Sequence, residues 1–375
     1  MLAFQEKSLM TLTNNYFMAT SKRKIAFFSK DLDFGGIEKV FVDYANYLSH
    51  NNNVSFILCR KKGGLLSLLN STITIHELQK EQLKQAFFSL VTFLRKNKFD
   101  VIISGSESCN ILLVIANCFL LTRSKIITSQ HSFSNADTSR FIHCFLLPWA
   151  LGHSCCTICV SNGIKEMLLK MHLEPAKLKV LYNPINSKKI IELSKERSLD
   201  LGDYIVFVGR MYAVKNVPFL IRSFKLFHEK NPHFKLVLVG DGPELGQLKH
   251  YSDKTGIANC ILWVGATSNP YPYIKNSTLL VLTSLSESLS NVVLEALCLG
   301  KTVVSTPCTG PVELLNAPTY GYVSDSFDNC EEFAALMEYA IEHQIPSDRL
   351  EAYSNSFDIS CSGAELDSLI NHLDT

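Results

Sequence analysis

Residues 279–306 read LLVLTSLSESLSNVVLEALCLGKTVVST and carry the pattern on which the fold assignment depends. An apolar run is followed by a serine-rich loop that holds Glu287, and an amphipathic stretch starting at Ser290 or Asn291 holds Glu295. This order predicts a buried strand, a loop and a helix, which is the repeating unit of a parallel sheet. We expect Glu287 in the loop and Glu295 one turn into the helix to face one crevice over the strand ends.

The same alternation of short apolar runs and amphipathic stretches fills the chain in two series. Predicted strands of the first series are 24–28, 54–58, 100–104, 125–129, 157–160 and 179–182. Those of the second series are 204–208, 235–239, 260–264, 279–283 and 302–305. Two doubly wound α/β domains in tandem, each with a parallel sheet covered on both faces, are therefore the expected fold class. The expected bounds are 22–185 for the first domain, 186–202 for a polar linker with a short helix, 203–355 for the second domain, and 356–375 for a tail or helix that packs back on the first domain.

Composition excludes several classes of protein. The 375 residues are 47% hydrophobic and 19% charged, which supports two folded domains and excludes a disordered chain. The longest apolar runs, 111–121 and 141–151, are shorter than the ~20 residues of a membrane-spanning helix. The first 20 residues lack the pattern of a secretory signal, so the expected location is cytoplasmic.

Charge is divided unevenly along the chain. Residues 1–186 hold 21 Lys and Arg against 12 Asp and Glu, whereas residues 187–375 hold 15 against 23. A basic half indicates a polyanionic or membrane-surface partner. Basic and aromatic residues are not interleaved as in nucleic-acid modules, so a nucleic-acid partner is not expected. Residues 80–98 place Lys and Arg around an apolar helix, which fits either an interfacial helix on the inner face of the cytoplasmic membrane or a core helix packed on the sheet.

The 12 cysteines are irregularly spaced. Cys155, Cys156 and Cys159 cluster, but no second ligand pair with zinc-site spacing accompanies them, so we expect core thiols and no metal site.

Two post-strand positions of the first series are candidates for ligand contact. Gly35 and Gly36 precede a helix, where they would let a phosphate approach free backbone N–H groups, or simply form a tight turn. His131 follows another strand and can bind a substrate hydroxyl, or be an ordinary satisfied polar residue.

In the second series, Gly209 and Arg210 follow the first strand and Lys215 lies five residues beyond. Two cations in one post-strand loop can clamp a diphosphate, although a solvated basic loop is the simpler alternative. Gly240 and Gly242 follow the next strand. They superficially resemble a dinucleotide loop, but we favour a strand-to-helix turn beside a ligand.

The loop before Glu295 and the first helical turn, with Ser290, Asn291 and Val292, present free N–H groups that form an anion cradle. Paired glutamates also fit the acid and base of a glycosidase. A helix-borne Glu295 beside an anion cradle fits recognition of hydroxyl groups better.

Taken together, these motifs resemble the retaining glycosyltransferases of family 4, which have the two-domain GT-B fold. The resemblance covers about residues 24–345. It rests on five segments that occur in order, namely 35–39 (GGIEK), 182–184 (YNP), 209–215 (GR with the lysine), 238–244 (LVGDGPE) and 287–300 (the two glutamates, then Ala296 and Gly300).

The resemblance implies roles for particular residues. Arg210 and Lys215 would bind the pyrophosphate of a nucleotide-sugar donor, Glu295 its ribose hydroxyls, and Glu287 would lie near the donor sugar. One departure is Ser288, where the family often has glycine. That difference leaves the geometry of the sugar loop and the identity of the donor open.

The first domain would also contribute to the implied site. Gly36 would approach the donor phosphate, and His131 matches the active-site histidine of the family near the sugar. The nearest candidate for a DxD-like metal motif is Asp31-Leu32-Asp33. It sits in the glycine loop and is interpreted as a loop former, so no metal or other cofactor is expected.

The implied reaction moves a hexose-type sugar, with retention, from a nucleotide-diphosphate sugar to a hydroxyl of a glycan or lipid-linked acceptor, in cell-surface polysaccharide or lipopolysaccharide synthesis. A UDP-sugar is the expected donor and a GDP-sugar the alternative. A nucleotide-sugar epimerase and a catalytically inactive nucleotide-sugar-binding partner are the other functions that the residues allow.

Overall fold

The computed structural model describes residues 22–33, 35–120, 123–131 and 145–373. The described chain forms two parallel sheets with helices on both faces.

The first sheet has seven strands in the order β3-β2-β1-β4-β5-β6-β7. Its strands are β1 (Lys24–Ser29), β2 (Asn53–Leu58), β3 (Thr74–Glu77), β4 (Val101–Ser104), β5 (Lys125–Gln130), β6 (Cys156–Cys159) and β7 (Leu178–Val180). At the centre, Phe27 of β1 pairs with Phe56 of β2 and Ile103 of β4, and all three are buried. Such apolar central strands require cover on both faces, and the helices supply it.

The helices between these strands are α1 (Gly36–Leu48), α2 (Phe87–Lys96), α3 (Glu107–Cys118), α4 (Leu147–His153) and α5 (Asn162–Lys170). In α1, the buried residues Val40, Phe41, Tyr44 and Leu48 recur at helical spacing, so one stripe faces the sheet. Serine side chains cap α3 and α5 at their N-termini, as this residue type favours.

The second sheet has six strands in the order β10-β9-β8-β11-β12-β13. They are β8 (Tyr204–Val208), β9 (Lys235–Val239), β10 (Ile261–Gly265), β11 (Leu279–Leu282), β12 (Val303–Ser305) and β13 (Tyr322–Val323). The helices of this half are α6 (Ser187–Leu193), α7 (Val217–Lys230), α8 (Leu245–Thr255), α9 (Tyr271–Lys275), α10 (Asn291–Cys298), α11 (Thr309–Leu315), α12 (Cys330–Glu342), α13 (Ser347–Ser354) and α14 (Ile359–His372).

The strand order reverses its direction between β1 and β4 in the first sheet and between β8 and β11 in the second. In open parallel sheets, ligands bind beyond the carboxyl ends of the strands at such a switch point. The loop after β1 and the loop after β11 are therefore the segments that position a site.

The last helix, α14, packs against α1. The Asn52 side-chain amide donates to Asp367 at 3.2 Å, and Leu366 and Ile370 are buried in the same core as α1. The chain also passes between the two halves at Ile185, which exchanges backbone hydrogen bonds with Phe357 and Ile359. We keep the bounds 22–185, 186–202, 203–355 and 356–375 as a proposal for the domain division.

Candidate active site

The loop after β8 carries Arg210 and is held in place by two glycines of the loop after β9. Gly240 adopts a φ of 140°, and a Cβ there would overlap the carbonyl oxygen of Gly209. A Cβ on Gly242 would lie 2.5 Å from the carbonyl oxygen of Met211. Gly209, Gly240 and Gly242 were expected to contact a ligand. The structure places Gly240 and Gly242 against the backbone of residues 209–211, where their small size lets two loops touch.

Arg210 projects from this loop and is exposed, with its guanidinium carbon 5.4 Å from the ring centroid of Tyr212. It lies close enough to Glu38, in the first turn of α1, for its charge to act on that carboxyl group. Burial raises the pKa of Glu38, and the positive charge of Arg210 works against that rise. The loop that carries Arg210 therefore lies near the N-terminus of α1.

Lys215 and Glu287 form an ion pair between the loops after β8 and β11. Neighbouring bonds fix both residues: Thr283 Oγ1 donates to the Lys215 carbonyl at 3.0 Å, and Ser284 Oγ donates to Glu287 Oε1 at 3.1 Å. The Lys215 and Glu287 side chains are 21% and 15% exposed, so solvent screens the pair weakly while its edge remains open to a ligand.

Helix α10 begins at Asn291 after the extended N-cap Ser290 and carries Glu295, of which 6% is exposed. Its first turn also contains Val292, and N–H groups at a helix start have no partner within the helix. Asn291 Oδ1 accepts a 2.8 Å hydrogen bond from the Asn183 side chain of the first half. This bond links the Tyr182-Asn183-Pro184 segment to the segment that carries both glutamates.

Gly35 and Gly36 occupy the cap and first position of α1. A Cβ on Gly35 would overlap the Glu38 carboxylate, which folds back over the helix start. A Cβ on Gly36 would lie 3.5 Å from Asn291 Nδ2, so the start of α1 stands directly opposite the start of α10.

Two residues that sequence reasoning did not assign complete this contact. Lys39, one turn into α1, donates to Glu295 Oε1 and to the Tyr271 hydroxyl, the latter at 3.0 Å. Although burial acts to lower the pKa of Lys39, the Glu295 carboxylate and Tyr271 hold it above its ordinary value. Lys39 follows Gly36 by three residues, and this helical spacing is the signal that could have identified it.

A cavity of about 480 Å³ adjoins this ion pair between the two halves. Polar residues that line it include Lys39, Asp43, Asn269, Tyr271, Asn291 and Glu295. Burial raises the pKa of Asp43 to about 6.

His131 directly follows β5, and its Nε2 is 2.9 Å from Ser129 Oγ. Its ring centroid lies 6.2 Å from that of Phe41, with the two rings in an edge-to-face arrangement. Burial lowers its pKa to about 4, so the ring is neutral near pH 7. It shares a small cavity with Asn183, the partner of Asn291.

The predicted site residues therefore form two groups, and His131 lies beside the second. Lys215 pairs with Glu287, and Arg210 lies in the same loop as Lys215. Helix α1 contacts helix α10 at Gly36 and Asn291 and at Lys39 and Glu295. His131 adjoins the second group through Asn183.

Two other motifs from the sequence, the Asp31 loop and the cysteine cluster, lie outside these groups. Asp31 accepts hydrogen bonds from the Arg60 guanidinium at 2.8 and 2.9 Å, consistent with a loop former. Cys156 and Cys159 are buried core residues, whereas Cys155 is exposed. In the part of the chain that the structure describes, no three His, Cys, Asp or Glu side chains are grouped to hold a metal ion.

Family models match both halves of the chain. Residues 34–189 match the model described as Glycosyltransferase Family 4, and residues 190–357 match Glycosyl transferases group 1. The fold is that of Anabaena Alr3699/HepE in complex with UDP-glucose, at a TM-score of 0.79 and 18% identity over 93% of this chain and 100% of that one.

Curated relatives agree in class. A lipopolysaccharide 1,6-galactosyltransferase of Salmonella typhimurium is 26% identical over 78% of this chain and 82% of its own length. An uncharacterized glycosyltransferase of Methanocaldococcus jannaschii is 34% identical, but that match spans 42% of this chain and 41% of the relative.

The two parallel sheets and their crevice define a GT-B protein. The chain belongs to the family 4 glycosyltransferases, and it is an enzyme of the nucleotide-sugar-dependent class.

Proposed function

We propose that this protein is a retaining hexosyltransferase that moves a sugar from a UDP-sugar to a hydroxyl of a lipid-linked or lipopolysaccharide-type glycan. The observation that carries the proposal is the contact between the two halves, where Lys39 of α1 pairs with Glu295 of α10 and Gly36 lies opposite Asn291. A GDP-sugar is the alternative donor.

Binding of the diphosphate is assigned to Arg210, Lys215 and the first turn of α10. Cleavage of the bond between the anomeric carbon and the diphosphate oxygen builds negative charge on the leaving group. Preorganised cations and N–H groups stabilise such charge. Glu287 holds Lys215 at the open edge of its loop, so the ammonium group is already in place when the donor arrives.

Glu295 is proposed to bind the ribose hydroxyls of the donor. A carboxylate accepts hydrogen bonds from two vicinal hydroxyls, and each such charged hydrogen bond contributes about 1.5–3 kcal/mol. The base would then enter the adjoining cavity.

Transfer follows from this placement. The acceptor oxygen attacks the anomeric carbon on the face that the diphosphate leaves, and a phosphate oxygen of the leaving group takes the acceptor's proton. One C–O bond breaks and one forms, with retention of configuration as in the family. Neutral His131 is proposed to hydrogen-bond a sugar or acceptor hydroxyl.

The acceptor is proposed to lie at the inner face of the cytoplasmic membrane. Support comes from the basic first half and from exposed aromatic rings: Phe88 on α2 is 79% exposed and Phe119 is 59% exposed. Both rings pack against Phe87. Among the described residues, no helix is long and apolar enough to cross a bilayer.

The sequence allowed either an interfacial helix on the membrane surface or a core helix at residues 80–98. In α2, Leu90, Val91 and Leu94 are buried, so much of its apolar face belongs to the core. Contact with lipid would therefore use Phe88 and Phe119, with Arg123 beside the latter through its bond to the Cys118 carbonyl.

The proposal is tested by incubating the purified protein with UDP- and GDP-sugars, with and without lipid-linked glycan, and measuring free nucleoside diphosphate. We expect acceptor-stimulated release from one UDP-sugar. Conversion of the sugar nucleotide without acceptor and without release would favour an epimerase. Tight donor binding with neither release nor conversion would favour an inactive binding protein.

A further inference from the structure

Glu295 receives its hydrogen bonds on one oxygen. Lys39 Nζ and the Tyr271 hydroxyl both donate to Oε1, the tyrosine at 3.4 Å. Lys39 Nζ also lies 5.5 Å from the centroid of the Tyr271 ring, so the three groups form one packed cluster. In the described part of the chain, Oε2 is left for another donor.

The cluster joins the two halves of the molecule. Lys39 comes from α1 of the first half, whereas Tyr271 and Glu295 come from α9 and α10 of the second. Glu295 is buried, with 6% of its surface exposed, and a buried carboxylate is stabilised by a nearby cation. Lys39 supplies that cation, and it does so when the halves are in contact.

We propose that Lys39 is a positioning residue of the donor site, which holds Oε1 of Glu295 and so turns Oε2 toward the ribose hydroxyls. The inference rests on the proposed donor site. The other charged residues that line the same cavity are Asp43, Lys189 and Glu196.

The test is a double-mutant cycle on binding of UDP-glucose, with GDP-mannose titrated in parallel. Lys39→Met should weaken binding of the recognised donor about tenfold, and Glu295→Gln at least as much. Because Lys39 acts through Glu295, adding Lys39→Met to Glu295→Gln should change the dissociation constant by less than about twofold. Lys39→Arg should restore most of the affinity, and Lys39→Met should raise KM while leaving kcat within about threefold.

Two further variants keep the test interpretable. Lys170→Met removes an exposed lysine of α5 and should leave binding unchanged. If Lys39→Met does not fold, Tyr271→Phe removes the other bond to Oε1 and should weaken binding about threefold.

Three results would overturn the inference. Lys39→Met could bind the donor as tightly as the wild type or more tightly. Lys39→Met could also weaken donor binding by the same factor in the Glu295→Gln background as in the wild type. Tyr271→Phe could bind normally. A wild-type protein that binds neither nucleotide sugar would instead overturn the proposed donor site, and this inference with it.

Discussion

Arg210 and Lys215 differ in their surroundings although both lie in the loop after β8. Arg210 is exposed and its loop lies near the N-terminus of α1, whereas Lys215 is held by Glu287. Under the proposed function both cations bind the diphosphate, so each is expected to stabilise the leaving group.

Arg210→Ala and Lys215→Ala should each lower kcat/KM for sugar transfer by roughly 10²–10³, the scale for loss of one preorganised charge stabiliser. Steady-state release of nucleoside diphosphate measures the effect. Lys225→Ala, an exposed lysine of α7, is the matched control and should retain full activity. Wild-type turnover in both variants would exclude the loop from the site.

His131 gives the stability of the fold a defined pH dependence. Its pKa is about 4 in the folded protein, against an ordinary value of 6.5, because burial disfavours the charged ring. Between these values the unfolded chain binds more protons. The contribution of His131 to the free energy of unfolding is therefore fully present above about pH 6.5 and is lost as the pH falls toward 4.

Urea unfolding across pH 4–7 checks this sign. The wild type should lose more stability on acidification than His131→Asn, while His250→Asn, an exposed position on α8, should follow the wild type. Parallel curves for wild type and His131→Asn would show that the ring is not buried in neutral form.

At the scale of elements, Glu313 of α11 caps helix α5 from the opposite half of the molecule. Its carboxylate accepts from the Asn162 backbone N–H at 2.8 Å, the Gly163 N–H at 3.3 Å and the Tyr182 hydroxyl at 2.5 Å. The start of α5 thus takes its cap from α11 in addition to its own Ser161.

Glu313→Ala should destabilise the protein by about 1–2 kcal/mol, the range for loss of an N-cap and a charged hydrogen bond. The midpoint of urea unfolding measures it. Glu166→Ala, exposed on α5 itself, serves as the control. Equal midpoints for the two variants would mean that the contact between α11 and α5 adds nothing to stability.

At the scale of the whole molecule, the basic first half and its exposed rings make a specific membrane prediction. The wild type should float with anionic liposomes at low salt and remain behind with neutral liposomes. The double variant Phe88→Ser, Phe119→Ser should reduce the floated fraction at least about fivefold. Phe327→Ser, at an exposed ring of the second half, should not. Equal flotation of both variants would refute the assigned surface.

Sequence predicted the fold well where strands are buried and apolar. Both central strands, β1 and β8, match their predicted runs to within a residue. The edge strand β3 has the polar sequence TIHE and was missed. An edge strand is partly exposed to solvent, so it needs few apolar residues and leaves a weak hydrophobic pattern. Strand β13 has two residues, too few for a periodicity.

The candidate site shows the same division. Residues after strands, such as Arg210 and Glu287, were identified because topology alone brings them to the crevice. Tyr271 and Glu313 were not assigned, because their roles depend on how one half sits against the other. No local pattern in a single sequence encodes that arrangement.

The central claim is that a nucleotide sugar lies in the crevice between the two halves, and a crystal structure of this protein with UDP-glucose tests it most directly. We predict the ribose hydroxyls within hydrogen-bonding distance of Glu295 and the diphosphate against Arg210 and Lys215. A nucleotide bound elsewhere, or bound in the crevice with its ribose away from Glu295, would contradict the account.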